Sequence, residues 1–351
     1  DTATILYMDA YSRPNYWIRL ASGLSLHGNQ TGKNYPIIRS QGFELDKEVY
    51  MPASGNVTFS LQFAPLAPQE KMIDFIEGAN KGDFQIKSIS LNEQEKKGKI
   101  HCHISGKVID SPQSSRLVLM KAHKNPSSSP WLSIPIRNGE FQYDFYADHE
   151  EVYEVFIWND MLTGSWLPSL FFAENGPVSF TLYPASTRKP GLVSTSNPLT
   201  CELQQLESER KAKFNFDSLY AQMNKLYEEN RFESEALQTL WKRIEQVKDN
   251  NEERNNIYRE RDRLEESGEA YTEEGKALLV KIKQLNEEMN QWTIKHIKQN
   301  PSLPGLYVLT SKTEMARKGE DVTPFLNAYQ ETFASLYPEH PYSCLLYTSD
   351  A

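Results

Sequence analysis

Apolar and polar residues alternate along Asn56-Val57-Thr58-Phe59-Ser60-Leu61-Gln62-Phe63, which places Val57, Phe59, Leu61 and Phe63 on one face of a predicted strand. The same period of two runs through residues 16–20 and 83–89, and turn chemistry at Gly28-Asn29 and at 52–55 separates the runs. Together with a strand that begins near Ile5, these segments predict a half-buried antiparallel sheet or sandwich over residues 1–92. A second strand-rich block is predicted over 99–185. Its clearest signal is Asn138-Gly139, a dipeptide that supplies the positive φ angles of a two-residue hairpin turn. The run Glu140-Phe141-Gln142-Tyr143-Asp144-Phe145 then puts Phe141, Tyr143 and Phe145 on one face. Further strands are predicted at 100–109, 116–120, 152–158 and 178–183, whereas the prolines in 124–130 exclude a central strand there. Several short strands at this spacing point to a second antiparallel β-sandwich.

Two segments have linker composition: the charged stretch 92–99, and 186–198, which is rich in Ser, Thr, Pro and Gly. From about 203 to 299 the period becomes helical. Leu237, Leu240, Trp241, Ile244 and Val247 form one apolar stripe, and Leu278, Ile282, Leu285, Met289 and Trp292 form another. The expected class is therefore α+β and multidomain, with two antiparallel β-sandwich-like domains (1–92 and 99–185) followed by a helical hairpin or small bundle (200–300). A connector over 301–343 carries a predicted helix at 306–316 and a last helix opened by the Thr323 hydroxyl as cap, with Pro324 in its first turn. Pro301 and Pro304 are expected to end the long helical run, and Pro338 and Pro341 the last helix.

Composition narrows the function classes. A chain of 351 residues has room for two or three cores. Its net charge of -9 and its lack of a basic patch argue against nucleic acid as a partner. No run of 18 apolar residues exists to span a bilayer. No signal peptide is visible, and the start at Asp1 reads as a processed or truncated end.

Candidate chemistry is sparse. Cys102, Cys201 and Cys344 form neither a C-x-x-C pair nor a zinc spacing, and two separate thiols are preferred over a Cys102–Cys201 disulfide. In His101-Cys102-His103 strand alternation sets both imidazoles on one face and the thiol opposite, but no further ligands follow at a recognisable spacing, so no metal is assigned. Trp131, Tyr153, Trp158 and Trp166 are the candidate binding surface, an aromatic platform for a sugar or peptide, weighed against ordinary core packing. The pairs Glu150-Glu151, Glu265-Glu266 and Glu273-Glu274 read as solvated surface, because adjacent residues diverge on a strand or helix. No catalytic set and no cofactor motif is recognised: there is no G-x-S-x-G, phosphate-binding loop or dinucleotide glycine pattern.

One resemblance adds to this reading. Gly106-Lys107-Val108 through Tyr183, with Asn-Gly-Glu-Phe at 138–141 and Phe171-Phe172-Ala173-Glu174-Asn175-Gly176, resembles the β domain of unknown function that precedes thioredoxin-like domains in envelope proteins of anaerobic Gram-negative bacteria. The following helices, the Asn300-Pro301 break and Tyr337-Pro338-Glu339-His340-Pro341-Tyr342 look like the helical connector of those thiol-disulfide oxidoreductases. Tyr50-Met51-Pro52 and Ile73–Gly78 look like an N-terminal β domain of some members. The resemblance implies a periplasmic or envelope location, and a redox domain with C-x-x-C that would follow these residues. It also implies, as partners, either that domain or other envelope proteins. Residues 344–351 resemble translated sequencing adapter, so Cys344 is not counted as a redox residue. The other reading left open is a free-standing carbohydrate- or protein-binding β module.

Overall fold

Period-two segments dominate the first half of the chain. The computed structural model describes residues 2–52, 55–78, 84–91, 100–111, 114–126, 128–247, 250–316 and 320–348. The predicted linker at 92–99 lies outside these residues. The chain divides into two compact units, residues 1–200 and 201–351.

The first unit opens with β1 (Thr4–Tyr11), β2 (Trp17–Ile18), β3 (Ser25–Gly28), β4 (Asn34–Gln41), β5 (Val49–Tyr50), β6 (Asn56–Phe63), β7 (Met72–Ile76) and β8 (Gln85–Ser90). Six of these pair antiparallel in the order β1-β6-β4-β3-β7-β8, and β2 and β5 form a separate ribbon. The alternation in β6 buries Phe59, Leu61 and Phe63 against Leu26, Ile73 and Phe75 of β3 and β7, with Val57 partly buried beside them. Each such side chain contributes about 1.5–3 kcal/mol when removed from water.

The next strands are β9 (Ile100–Val108), β10 (Arg116–Lys121), β11 (Leu132–Pro135), β12 (Glu140–Ala147) and β13 (Val152–Ile157). A helical turn α1 (Trp158–Leu162) follows, then β14 (Ser169–Phe172), β15 (Gly176–Leu182) and β16 (Leu192–Thr195). They form two four-stranded sheets, β11-β10-β13-β14 and β12-β9-β15-β16. Leu117, Leu119, Val155 and Ile157 from one sheet meet Cys102, Ile104, Phe141, Phe145 and Phe180 from the other in a single apolar cluster.

Four expectations change here. Asn138 and Gly139 do take positive φ (55° and 76°), and Arg137 and Glu140 exchange both backbone hydrogen bonds. That closure is only one residue pair long, because β11 pairs with β10 while β12 pairs with β9 along its whole length. The turn carries the chain from one sheet to the other. Second, the pairing is not purely antiparallel: β15 lies parallel to β9, from Gly176↔Cys102 to Leu182↔Val108. Third, the expected linker 186–198 contains β16, which pairs with β15. Fourth, Trp158 ends no strand but starts α1.

The helices are α2 (Pro198–Lys213), α3 (Asp217–Glu228), α4 (Glu235–Gln246), α5 (Asn251–Ser267), α6 (Glu273–Gln299), α7 (Leu303–Glu314), α8 (Thr323–Ala328) and α9 (Pro341–Thr348), with a π turn at Tyr329–Phe333. Among the described residues, five successive helices, α2 to α6, occupy the stretch read as a hairpin or small bundle. The α4 stripe packs as read: Leu237 and Leu240 are buried with Ile257 and Ala270, and Trp241, Ile244 and Val247 pack on them. Ser234, Thr272 and Ser302 cap α4, α6 and α7, each hydroxyl accepting from the N–H three residues on. Pro304 stands in the first turn of α7 rather than ending a helix, which a missing N–H permits there. Thr323 does not cap α8; its own N–H donates to Asp321 Oδ1 at 2.9 Å. Pro341 opens α9 for the same first-turn reason and closes nothing.

Candidate binding surface

Strand alternation gives β10 and β13 two apolar faces. While Leu117, Leu119, Val155 and Ile157 turn inward, Val118, Met120 and Phe156 turn outward and are covered by Trp131, Trp158, Met161 and Trp166. The Trp131 and Trp158 rings lie 5.3 Å apart, and Trp166 stacks on Phe156 at 5.5 Å. Three of the four predicted platform residues are therefore brought together. Tyr153 is not among them. It shares the parity of Val155, so it points into the core against Phe145 (5.0 Å) and Phe171 (6.3 Å). Burial there, with a smaller push from Glu151, Cys102 and Asp148, raises its hydroxyl to about 12.

A cation sits in this aromatic cluster. Arg116 is 5% exposed, and its guanidinium carbon is 3.6 Å from the Trp158 ring centre, 4.3 Å from Tyr11 and 5.6 Å from Trp131. Burial lowers the guanidinium to about 10, which leaves it charged at neutral pH. The negative ring faces supply the partner that a carboxylate would otherwise provide. The tryptophans are thus half-buried and packed on one another and on Arg116. The available sequence signal was a charged residue in register with the apolar Val118 and Met120.

His101, Cys102 and His103 alternate as the strand pattern requires. His101 Nε2 and His103 Nδ1 lie 2.8 and 3.1 Å from the same Asp144 Oδ1, on an exposed sheet face where His101 also stacks on Tyr146. The hydrogen bonds from His103 and His101 hold the Asp144 carboxyl below its ordinary range. Both imidazoles are committed to one carboxylate oxygen, and among the described residues no group of three or more His, Cys, Asp or Glu could hold a metal ion. The Cys102 thiol is fully buried, and desolvation pushes it up to about 12. Cys102, Cys201 and Cys344 form no disulfide with one another.

The acidic pairs do not converge. Glu274 pairs with Arg231 at 2.6 Å and Glu273 with Lys276 at 2.7 Å on the helical surface. Glu151 departs from the expected solvated face, being buried and ion-paired with Lys121. Sequence reasoning missed Glu154, a buried carboxyl on the outward face of β13 that accepts the His123 backbone N–H and is raised to about 7 by desolvation. A shallow concavity of about 480 Å³ lies beside the Asn138-Gly139 turn, lined by Pro135, Arg137, Glu140, Phe141 and Gln142. Among the described residues no helix is long and apolar enough to cross a membrane. In comparison with known proteins, no family model matches the chain and no curated protein matches it.

Proposed function

We propose that this chain is the non-catalytic, partner-positioning region of an envelope thiol-disulfide oxidoreductase of the thioredoxin-like type, whose redox domain follows Ser343. In this reading the two β blocks are sandwich-like supports, and the helices form a hairpin-derived connector that presents the redox domain to envelope proteins in the periplasm. The resemblance over 106–183 and the connector supplies the family. The observation that carries the non-catalytic part is the position of Cys102: it is fully buried and its thiol is raised to about 12. At neutral pH such a thiol is ionised in roughly one molecule in 10⁵, and exchange needs the thiolate. Cys102, Cys201 and Cys344 form no C-x-x-C pair in which a second thiol could resolve a mixed disulfide. The test is insulin reduction with dithiothreitol as the electron source. The chain is expected to give no acceleration over dithiothreitol alone, and turnover by these residues would overturn the reading.

A further inference from the structure

Away from the tryptophan cluster, two exposed aromatic residues face each other on the β2–β5 ribbon of the first unit. Trp17 and Tyr50 are directly opposite each other across the ladder and are 49% and 61% exposed. Their neighbours Ile18 and Val49 point the other way and pack on the core of the first sheet. Alternation therefore fixes both aromatic rings outward on the same face, within reach of each other. The mount is tied beyond its two ladder pairs: Met51 N–H donates to the Tyr16 carbonyl (2.8 Å) and Asn15 N–H to the Met51 carbonyl (3.1 Å). The ladder ends at Ile18↔Val49, and the residues that flank it on the two strands, Arg19 and Glu48, are both exposed. The Tyr50 hydroxyl donates to Glu48 Oε2 at 3.2 Å, and Arg19 Nη2 stands 4.0 Å from Asp46 Oδ1.

We propose that this outward face of the ribbon binds a neutral sugar chain, with Trp17 and Tyr50 as the stacking platform and Glu48 and Arg19 as partners for vicinal hydroxyls. A pyranose offers an apolar C–H face to an aromatic ring, and its rim hydroxyls both donate and accept. That matches two rings flanked by one carboxylate acceptor and one guanidinium donor. An anionic ligand would meet Glu48, Asp46 and a chain of net charge -9. A protein partner, a second copy included, would have to desolvate Arg19, Glu48 and Asp46 over a ribbon two ladder pairs long, whereas interface cores are depleted of charge. Trp131, Trp158 and Trp166 differ because their faces are taken by one another, Phe156 and Arg116. The site is independent of the redox-accessory reading.

The experiment is affinity electrophoresis through gels containing soluble xyloglucan, galactomannan, mixed-linkage β-glucan or dextran, with anionic alginate as control. At least one neutral polymer is expected to retard the chain, and alginate is not. Trp17→Ala and Tyr50→Ala, tested separately so that one folded variant suffices, are each expected to weaken retardation at least about 10-fold. Tyr7→Ala, at an 82% exposed position on β1, serves as the folded control and is expected to retain binding. Circular dichroism checks each fold. Absence of retardation by every neutral polymer, or retardation unchanged in folded Trp17→Ala and Tyr50→Ala, overturns the proposal. Self-association abolished by Trp17→Ala without any sugar binding overturns it as well.

Discussion

The Arg116 guanidinium carbon lies 3.6 Å above the Trp158 ring, and the Tyr11 ring approaches the same guanidinium at 4.3 Å. Tyr11 belongs to the first sheet and Arg116 to the second pair of sheets, so one cation ties the two β blocks of the first unit together. Desolvated cation–π contacts are worth about 2 kcal/mol, and the arginine stem adds packing. Arg116→Ala is expected to lower stability by about 2–4 kcal/mol in urea titration, and Tyr11→Ala by less. In the double variant the two losses should fall short of additive, because both remove the same contact.

Glu154 makes stability depend on pH. Its folded value of about 7 stands above the ordinary 4.5, so between those values the folded state keeps a proton that the unfolded chain has released. Stability contributed by this group is complete below the lower value, falls as pH rises through the window and levels off above it. The shift corresponds to at most about 3 kcal/mol. Glu154→Gln should therefore raise the melting temperature measured at about pH 8 and change it little at about pH 4.

Gly106 is required by the parallel pairing of β9 and β15. A Cβ at that position would meet the Phe180 carbonyl oxygen at 2.2 Å, and that atom is backbone, with no flexible end to swing away. Gly106→Ala is expected to cost more than about 3 kcal/mol, or to abolish cooperative unfolding, as read by thermal circular dichroism. Gly164→Ala provides a contrast. Nothing lies within 4 Å of its Cβ position, but its φ of 75° is left-handed, so only a modest loss of about 1–2 kcal/mol is expected.

Cys102 should resist thiol reagents. In the native chain at neutral pH, 5,5′-dithiobis(2-nitrobenzoate) is expected to modify the exposed Cys201 and Cys344 and leave Cys102 unmodified, and guanidinium should release Cys102 at once. Rapid native labelling of Cys102 in a Cys201→Ser, Cys344→Ser background would contradict its place in the core.

Local patterns were legible where local physics decides. The β6 face, the α4 stripe and the positive φ of Asn138 and Gly139 all follow from spacing and residue type. What the sequence did not reveal depends on partners far along the chain. β12 and β9 are separated by a β10–β11 excursion, and nothing in Glu140–Ala147 says that its mate is Ile100–Val108. Leu192–Thr195 has loop composition but finds an open edge on β15. For the candidate surface, aromatic identity was visible and orientation was not. Tyr153 and Phe156 differ in parity and so face opposite ways, while Trp17 and Tyr50, the exposed pair, sit in strands two residues long whose alternation only the fold makes evident.

The most direct test of the accessory role is to sequence genomic DNA through the codon for Ser343 and beyond. The account predicts an in-frame thioredoxin-like segment with a C-x-x-C pair, in place of the codons for Cys344 to Ala351. A stop codon at that point would contradict it, and the β blocks would then have to be explained as a binding protein in their own right.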